Sequence, residues 1–171
     1  MGVLLGLIRT HARAAPGERA YDYKPFYRGS KVSVIGAITV SKVLAVMTLN
    51  DSMDASAFQV YISKCLVPQL WKGAVVVMDN LPAHKVKAFA ERCRRLIAPL
   101  IEAAGAKILY LSPYSPEFNP IEHWWSQLKA FLRQFSPKTS KKVDLLIKIA
   151  MHLIDPQHLR NWFAHCCYCH S

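Results

Sequence analysis

The stretch VVVMDNLPAHK, at positions 75–85, passes from four apolar residues straight into an acid and an amide. A continuous valine-rich run is typical of an interior parallel strand that is buried on both faces, and Asp-Asn-Leu-Pro ends it and opens a helix. Asp79 is therefore predicted at the carboxyl end of a central strand, where open α/β sheets place their ligands. The alternative is that Asp79 or Asn80 caps the next helix, with Pro82 in its first turn.

Composition and charge limit the function of the chain. Its 171 residues, 52% of them hydrophobic, suffice for one domain with a sizeable core. The 22 Lys and Arg residues against 11 Asp and Glu give a net charge of +11, which favours a polyanionic partner: nucleic acid first, an anionic membrane surface second. No apolar run approaches the roughly 20 residues of a spanning helix, so no membrane-spanning segment is expected. Five cysteines without an even, spaced pattern indicate a reducing compartment, and we expect a cytoplasmic protein.

The hydrophobic pattern predicts an alternation of strands and helices. Two β-rich runs at 31–40 and 42–50 indicate an antiparallel hairpin, and a helix capped by Asp54 leads to the strand at Val75. A basic helix over 83–104, kinked or divided at Pro99, precedes a second short strand at 106–113. Helices follow from about Pro120, over 139–153 and over 156–164. The order predicts an α/β domain with a mixed sheet flanked by helices.

A second acid changes the interpretation of the first. Glu122 falls in the first turn of a predicted helix, after a loop with prolines at 113, 116 and 120. An acid there also suits the helix dipole, so a structural role stays open locally. Together, however, Asp79 at a strand end and Glu122 after the adjacent strand can converge above the sheet. Two metal ions about 4 Å apart, bridged by such carboxylates, would activate a phosphodiester for cleavage, and hard oxygen ligands suit Mg²⁺ or Mn²⁺.

The motifs MDNLPAHK and LSPYSPEFNPIEHWWSQLK resemble those of the DDE-class transposases of bacterial insertion sequences, relatives of the mariner superfamily. The resemblance runs from about residue 2 to 133 and implies a ribonuclease H-like catalytic domain that cuts and rejoins transposon DNA with two metal ions. It makes Asp79 the second catalytic aspartate and Glu122 the closing glutamate. The flanking signature is matched by Asn80, His84, Tyr114, Ser115, Pro116, Asn119 and Pro120.

One part of the family pattern has no counterpart here. The first catalytic aspartate would end the first, central strand just ahead of GVLLGLIRTHARA, and no acid precedes Glu18. We therefore expect an N-terminally truncated catalytic domain over 1–135 and a C-terminal helical extension with a cysteine-rich tail over 136–171. The missing strand would leave two open sheet edges unless residues 3–8 replace it. The expected activity is transposition when the site is complete; the alternative is an inactive, DNA-binding or assembly-interfering remnant.

Several further residues are candidates for the site. His84 either faces the metals or is a surface residue. Residues predicted to bind the DNA backbone are Lys85, Lys87 and Arg92. Lys129 and Arg133, which share a helical face with Glu122, either hold DNA phosphates or belong to a solvated helix face. The predicted partners are DNA and either a second copy or an upstream transposase fragment. Trp124 and Trp125 are expected in the core. The cysteines of HCCYCHS lie too close together for an ordinary zinc site, so a frayed tail is the favoured interpretation.

Overall fold

The described residues form five strands and five α-helices, and from residue 31 onward their order is the predicted one. The structure, a computed structural model, describes residues 1–5, 7, 13–21, 30–50, 52–79, 87–112 and 115–168, with the backbone alone over 87–94. The strands are β1 (Gly2–Leu4), β2 (Lys31–Ile38), β3 (Val43–Leu49), β4 (Val75–Met78) and β5 (Lys107–Tyr110). The helices are α1 (Ala55–Val60), α2 (Lys87–Ala103), α3 (Ile121–Phe135), α4 (Ser140–Leu153) and α5 (Pro156–His165). A π-helical segment, Tyr61–Leu66, and a 3₁₀ turn, Val67–Gln69, continue α1.

The predicted hairpin is confirmed. β2 and β3 pair antiparallel from Ser33 opposite Leu49 to Ile38 opposite Val43, with an irregularity between Ala37 and Ile38. β1 pairs antiparallel with the start of β2, over Lys31 to Ser33. Residues 2–4 thus add a short third strand to this sheet. Of the proposed replacement segment, 3–8, residues 5 and 7 are described outside any strand, and residues 6 and 8 lie outside the described residues.

β4 and β5 form a separate parallel pair, in register from Val75 opposite Lys107 to Met78 opposite Tyr110. Within the described residues, the strands form two small sheets, β1-β2-β3 and β4-β5. The prediction of a β4 strand buried on both faces is wrong: Val75 is 58% exposed, and the next three residues are half-buried. Val76 and Met78 pack against a core cluster, so one face of the pair is covered.

Local signals set most helix boundaries. The Asp54 carboxylate accepts a hydrogen bond from the Ala57 N–H at 2.6 Å, which confirms the predicted cap of α1. α2 runs through Pro99 without being divided, and Gly105, with φ of 75°, follows its end. α3 begins directly after Pro120, as predicted. No helix in the described part of the chain is long and apolar enough to cross a membrane.

Two hydrophobic clusters cover the two faces of the hairpin sheet. On one face Val32 and Val34 join buried residues of α3 and α4. On the other face Ile35 and Ala45 join residues of the α1 region and α2. This alternation follows from the opposite directions of successive strand side chains. The result is a layered α/β arrangement in which β2 is the central strand of its sheet.

Candidate active site

Asp79 lies directly after β4, as the sequence predicts. The parallel pairing extends to this point, because the Leu111 N–H donates to the Met78 carbonyl at 2.9 Å. The backbone that carries Asp79 is thereby held at the strand end, and its side chain is exposed. The alternative role of Asp79 or Asn80 as a cap concerns residues 80–86, which lie outside the described residues.

Glu122 lies in the first turn of α3. A 3₁₀ turn, Pro116–Phe118, leads into the helix, and the Glu122 N–H donates to the Asn119 carbonyl at 3.0 Å. The Glu122 carboxylate is exposed at the positive end of the helix dipole, which favours a negative charge there. The helix that carries it is anchored by the buried side chains of Trp124, Trp125, Leu128 and Leu132.

The position of α3 depends on a glycine in β2. A Cβ atom at Gly36 would lie 2.8 Å from the Trp125 ring and 3.0 Å from the Trp124 ring. The two rings, with centroids 4.6 Å apart, therefore occupy the space that a side chain at position 36 would fill. This close approach holds the start of α3 beside β2.

Asp79 and Glu122 line the same cavity, which has a volume of about 370 Å³. Its other walls come from β2, β4, the α1 region and the turn before α3, and they are predominantly apolar. Two acids that are distant in sequence are thus brought to one apolar cleft.

The amino group of Met1 is a third charged group at this cavity. It donates to the Val34 carbonyl at 2.8 Å, and the Val34 N–H donates to the Met1 carbonyl at 2.7 Å. Burial lowers the pKa of this amino group; the Glu122 carboxylate opposes the shift, and Lys129 and Lys31 add to it. Glu122, Lys129 and Lys31 therefore all act electrostatically on the same amino group.

The structure describes some of the predicted basic residues and not others. Lys129 and Arg133 lie on α3 and are half-buried, and the charge of Lys129 reaches the Met1 amino group. Lys87 and Arg92 lie on α2, where the backbone alone is described. His84 and Lys85, together with Tyr114 of the flanking signature, lie outside the described residues.

Four groups at or near the site were missed by sequence reasoning. Met1, Phe163 and Tyr168 line the cavity, and Lys31 extends over Gly2, whose Cβ would meet its side chain at 2.7 Å. The pairing of β1 with β2 could have indicated Lys31. The approach of Phe163 and Tyr168 depends on how the C-terminal segment packs, which no local pattern reports.

The first cysteine of the C-terminal tail, Cys166, packs against the rest of the protein. Cys166 is buried, and its thiol donates to the Glu117 carbonyl at 3.1 Å. Burial, together with the neighbouring Cys167, raises the pKa of the Cys166 thiol. The frayed-tail prediction is therefore wrong for Cys166, while Cys169 lies outside the described residues. Among the described residues, no group of three or more His, Cys, Asp or Glu could hold a metal ion.

Comparison with solved structures defines the fold. The chain is similar to the Mos1 transposase paired-end complex with left transposon end, with a TM-score of 0.71 at 16% identity over 97% of this chain and 50% of that one. The Mos1 strand transfer complex has a TM-score of 0.67 at 16% sequence identity, over 96% of this chain and 49% of that chain. The Mos1 mariner paired-end complex with Mn has a TM-score of 0.63 at 13% sequence identity, over 97% of this chain and 51% of that chain. The fold is the mixed α/β, ribonuclease H-like fold, and the chain spans about half the length of these proteins.

The family follows from the sequence itself. The family described as DDE superfamily endonuclease matches residues 1–145, and the chain belongs to that family. No curated protein matches the chain.

Proposed function

We propose that this chain is catalytic-domain sequence of a DNA transposase of the insertion-sequence type, whose complete site cuts DNA strands and joins them to new positions. One observation carries the proposal: Asp79, after β4, and Glu122, at the start of α3, line a single cavity. Membership of the DDE endonucleases supports the same chemistry.

The donor atoms of the two acids fit a divalent metal. Both carboxylates are exposed at the cavity, and paired carboxylate oxygens are the ligands that Mg²⁺ and Mn²⁺ prefer. Asp79 and Glu122 are the acids among the described residues that line this cavity. We propose Mg²⁺ or Mn²⁺, two ions in the complete site, which when bound would activate the attacking oxygen and stabilise the leaving one.

The protein groups around the acids would hold the DNA. A net charge of +11 attracts a polyanion, and Lys129 lies on the same helix as Glu122, where its ammonium could contact a phosphate next to the scissile bond. Arg133, one turn further along α3, would extend this contact. We propose the same backbone-binding role for Lys85, Lys87 and Arg92, and a role near the scissile phosphate for His84.

The partners are proposed from the related structures. One Mos1 complex is described with its left transposon end and another as a strand transfer complex. We propose by analogy that this chain acts on transposon ends and target DNA in the cytoplasm, as a homo-oligomer or joined to a further transposase segment. We also propose the catalytic domain over 1–135 and the helical extension over 136–171, although α4 shares a core with β2 and α3.

Metal binding tests the site assignment directly. Mn²⁺ is titrated into the 171-residue chain, and free Mn²⁺ is measured by electron paramagnetic resonance. Asp79→Asn and Glu122→Gln should each weaken binding by about tenfold or more, whereas Glu102→Gln, an exposed acid on α2, should leave it unchanged. Equal affinities of all four proteins would reject the assignment. In a reconstituted active protein, either site variant should also abolish Mg²⁺-dependent strand cleavage.

A second candidate function is a non-catalytic remnant that binds DNA or joins the assembly of an intact transposase. The net charge of +11 supports it, because the attraction of a polyanion needs no metal site. Under this alternative, the unmodified chain binds Mn²⁺ no better than Asp79→Asn does, yet still binds DNA in a salt-sensitive way.

A further inference from the structure

α5 packs along the first two turns of α3, the helix that carries the candidate glutamate. The Trp162 ring stacks on the His123 ring, with centroids 6.2 Å apart and planes 15° apart, and the His165 ring meets His123 edge-on at 5.1 Å. One turn further along α3, the Gln127 side-chain nitrogen lies 3.4 Å from a ring nitrogen of His158. Ring pairs at these separations attract each other, so α5 is attached to the start of α3.

The C-terminal end of α5 has a defined backbone path. The Tyr168 N–H donates to the Phe163 carbonyl at 3.0 Å. The Cys167 N–H donates to the Ala164 carbonyl, also at 3.0 Å, and Cys167 has a φ of 63°. These hydrogen bonds and the left-handed residue form a Schellman motif, and the Phe163 and Tyr168 rings, 6.1 Å apart, supply its usual hydrophobic contact. The motif turns the chain back on the helix, and both rings line the cavity.

The Cys166 thiol joins this segment to the turn before α3. Cys166 is 3% exposed, and its thiol donates to the Glu117 carbonyl at 3.1 Å. Glu117 is the middle residue of the 3₁₀ turn, in which the Asn119 N–H donates to the Pro116 carbonyl at 3.0 Å. The Asn119 carbonyl accepts the Glu122 N–H at 3.0 Å. A buried thiol contact and two backbone hydrogen bonds therefore link Cys166 to the backbone of Glu122 through one short turn.

The start of α3 depends on such tertiary contacts. Pro120 occupies its N-cap position and makes no side-chain cap hydrogen bond, because proline has no polar side chain. The caps of α1, α4 and α5 are by contrast the side chains of Asp54, Thr139 and Asp155. The first N–H groups of a helix need partners from a cap or from elsewhere. The first turn of α3 is therefore held by the turn before it and by α5, together with the buried tryptophans of α3.

We propose that Cys166 and Trp162 are positioning residues for Glu122: through the 3₁₀ turn and the stacked rings, they fix the first turn of α3 and with it the direction of the carboxylate at the cavity. Both residues lie beyond residues 1–145, the part of the chain that matches the DDE family. The restraint on the turn concerns these contacts alone. Its use, which is to place Glu122 for metal binding, rests on the proposed function.

Hydrogen exchange of the full chain, measured by NMR in EDTA and a thiol reductant, tests the restraint without metal or DNA. Cys166→Ala removes the donor, so the Asn119 and Glu122 amides should exchange about threefold or more faster. Cys166→Ser keeps a donor and should restore most of the protection. The Val143 amide, in the first turn of α4, donates to the Thr139 carbonyl and is the reference, because it also exchanges through local opening of a helix start.

A matched control separates the restraint from overall stability. Ile101→Val removes a methylene group from a fully buried side chain of α2 and should lower the urea midpoint. It should leave exchange at Asn119 and Glu122 unchanged, because these amides exchange through local opening.

Unchanged exchange at the two turn amides in Cys166→Ala, or equal acceleration at Val143, would overturn the proposal. Trp162 supplies a second pair of variants if Cys166→Ala does not fold. Trp162→Leu removes the ring from His123 and should speed exchange at Glu122, whereas Trp162→Phe keeps an aromatic ring and should have the smaller effect. Equal effects of Leu and Phe would also overturn the proposal.

A Mn²⁺ titration separates this inference from the proposed function. Cys166→Ala should weaken Mn²⁺ binding several-fold, and Cys166→Ser should bind nearly as well as the unmodified chain. Because Mn²⁺ prefers oxygen ligands, the loss would report the position of Glu122 and not the removal of a thiolate ligand. If affinity depends on Asp79 and Glu122 but is equal in the Cys166 variants, the positioning role fails and the proposed function stands. If the unmodified chain binds Mn²⁺ no better than Asp79→Asn, the proposed function fails, and the exchange rates decide the restraint.

Discussion

β2 and β4 are both apolar strands next to the candidate site, but they are covered differently. In β2 the four consecutive residues 32–35 are all at most 9% exposed, because α3 and α4 pack on one face and the α1 region and α2 on the other. In β4 Val75 is 58% exposed, and the cluster that includes α2 covers one face of the strand. An apolar strand sequence therefore reports the tendency to form a strand, while burial depends on which helices reach it.

The unequal covering of β2 and β4 by helices also explains where the candidate site lies. The fully covered strand, β2, contains Gly36 and is packed between two hydrophobic clusters. The partly covered strand, β4, supplies Asp79 at its end. α3 connects the two, because its tryptophans pack on Gly36 and its first turn brings Glu122 to the shared cavity.

Removal of the α3 cover from β2 should have the largest effect on stability. Trp124 is 1% exposed, and Trp124→Ala should lower the free energy of unfolding by about 3–5 kcal/mol in urea denaturation. Trp71 is 56% exposed, and Trp71→Ala is the matched control with an expected loss below about 1 kcal/mol. Similar losses for both would mean that the α3 layer does not hold β2.

Two glycines test the contact between β2 and α3 more finely. Gly36→Ala places a methyl group 2.8 Å from the Trp125 ring and should cost about 1–3 kcal/mol through overpacking. Gly2→Ala meets the Lys31 Cε atom at 2.7 Å, but a lysine side chain can move aside, so the expected cost is below about 0.5 kcal/mol. The urea midpoints of the two variants measure these losses of stability. Equal losses would show that the tryptophan rings do not pack against Gly36.

Much of this arrangement could be predicted from local sequence. The hairpin at 31–50, the Asp54 cap and the start of α3 after Pro120 each depend on residues close in sequence, and the structure confirms them. The placement of Asp79 at a strand end was predicted for the same reason. These features are fixed by turn chemistry and side-chain periodicity.

The exposed face of β4 and the charge at the cavity could not be predicted in this way. The exposure of Val75 depends on helix packing far along the chain. The approach of the Met1 amino group to Glu122, and of Phe163 and Tyr168 to the cavity, depends on long-range contacts. A single sequence contains no local signal for these contacts, although it does identify both acids.

Packing on the face of the hairpin sheet that carries Ile35 and Ala45 can be tested through the pH dependence of stability, because Tyr61 is buried there. Tyr61 is 2% exposed, its hydroxyl donates to the Ala45 carbonyl at 3.4 Å, and burial, with a smaller effect of Cys65, raises its pKa above the ordinary value of 10.0. The folded state therefore holds the proton that the unfolded state loses above pH 10, so stability should be complete below that pH and should fall as the pH rises further. The slope is at most about 1.4 kcal/mol per pH unit.

Tyr61→Phe isolates this contribution from the other tyrosines. The difference in unfolding free energy between the two proteins, measured by urea denaturation from pH 8 to 11, should be constant below pH 10 and should shift in favour of the Phe variant above it. A difference that stays constant through pH 11 would show that the phenol is not buried against the hairpin.

The smallest effect is expected on the uncovered face of β4. Val75→Thr replaces a methyl by a hydroxyl at a side chain that is 58% exposed, and it should change the unfolding free energy by less than about 0.5 kcal/mol. Val34→Thr, at 1% exposure, buries the same hydroxyl and should cost about 1–3 kcal/mol. A large loss at Val75 would show that a partner covers this face in solution.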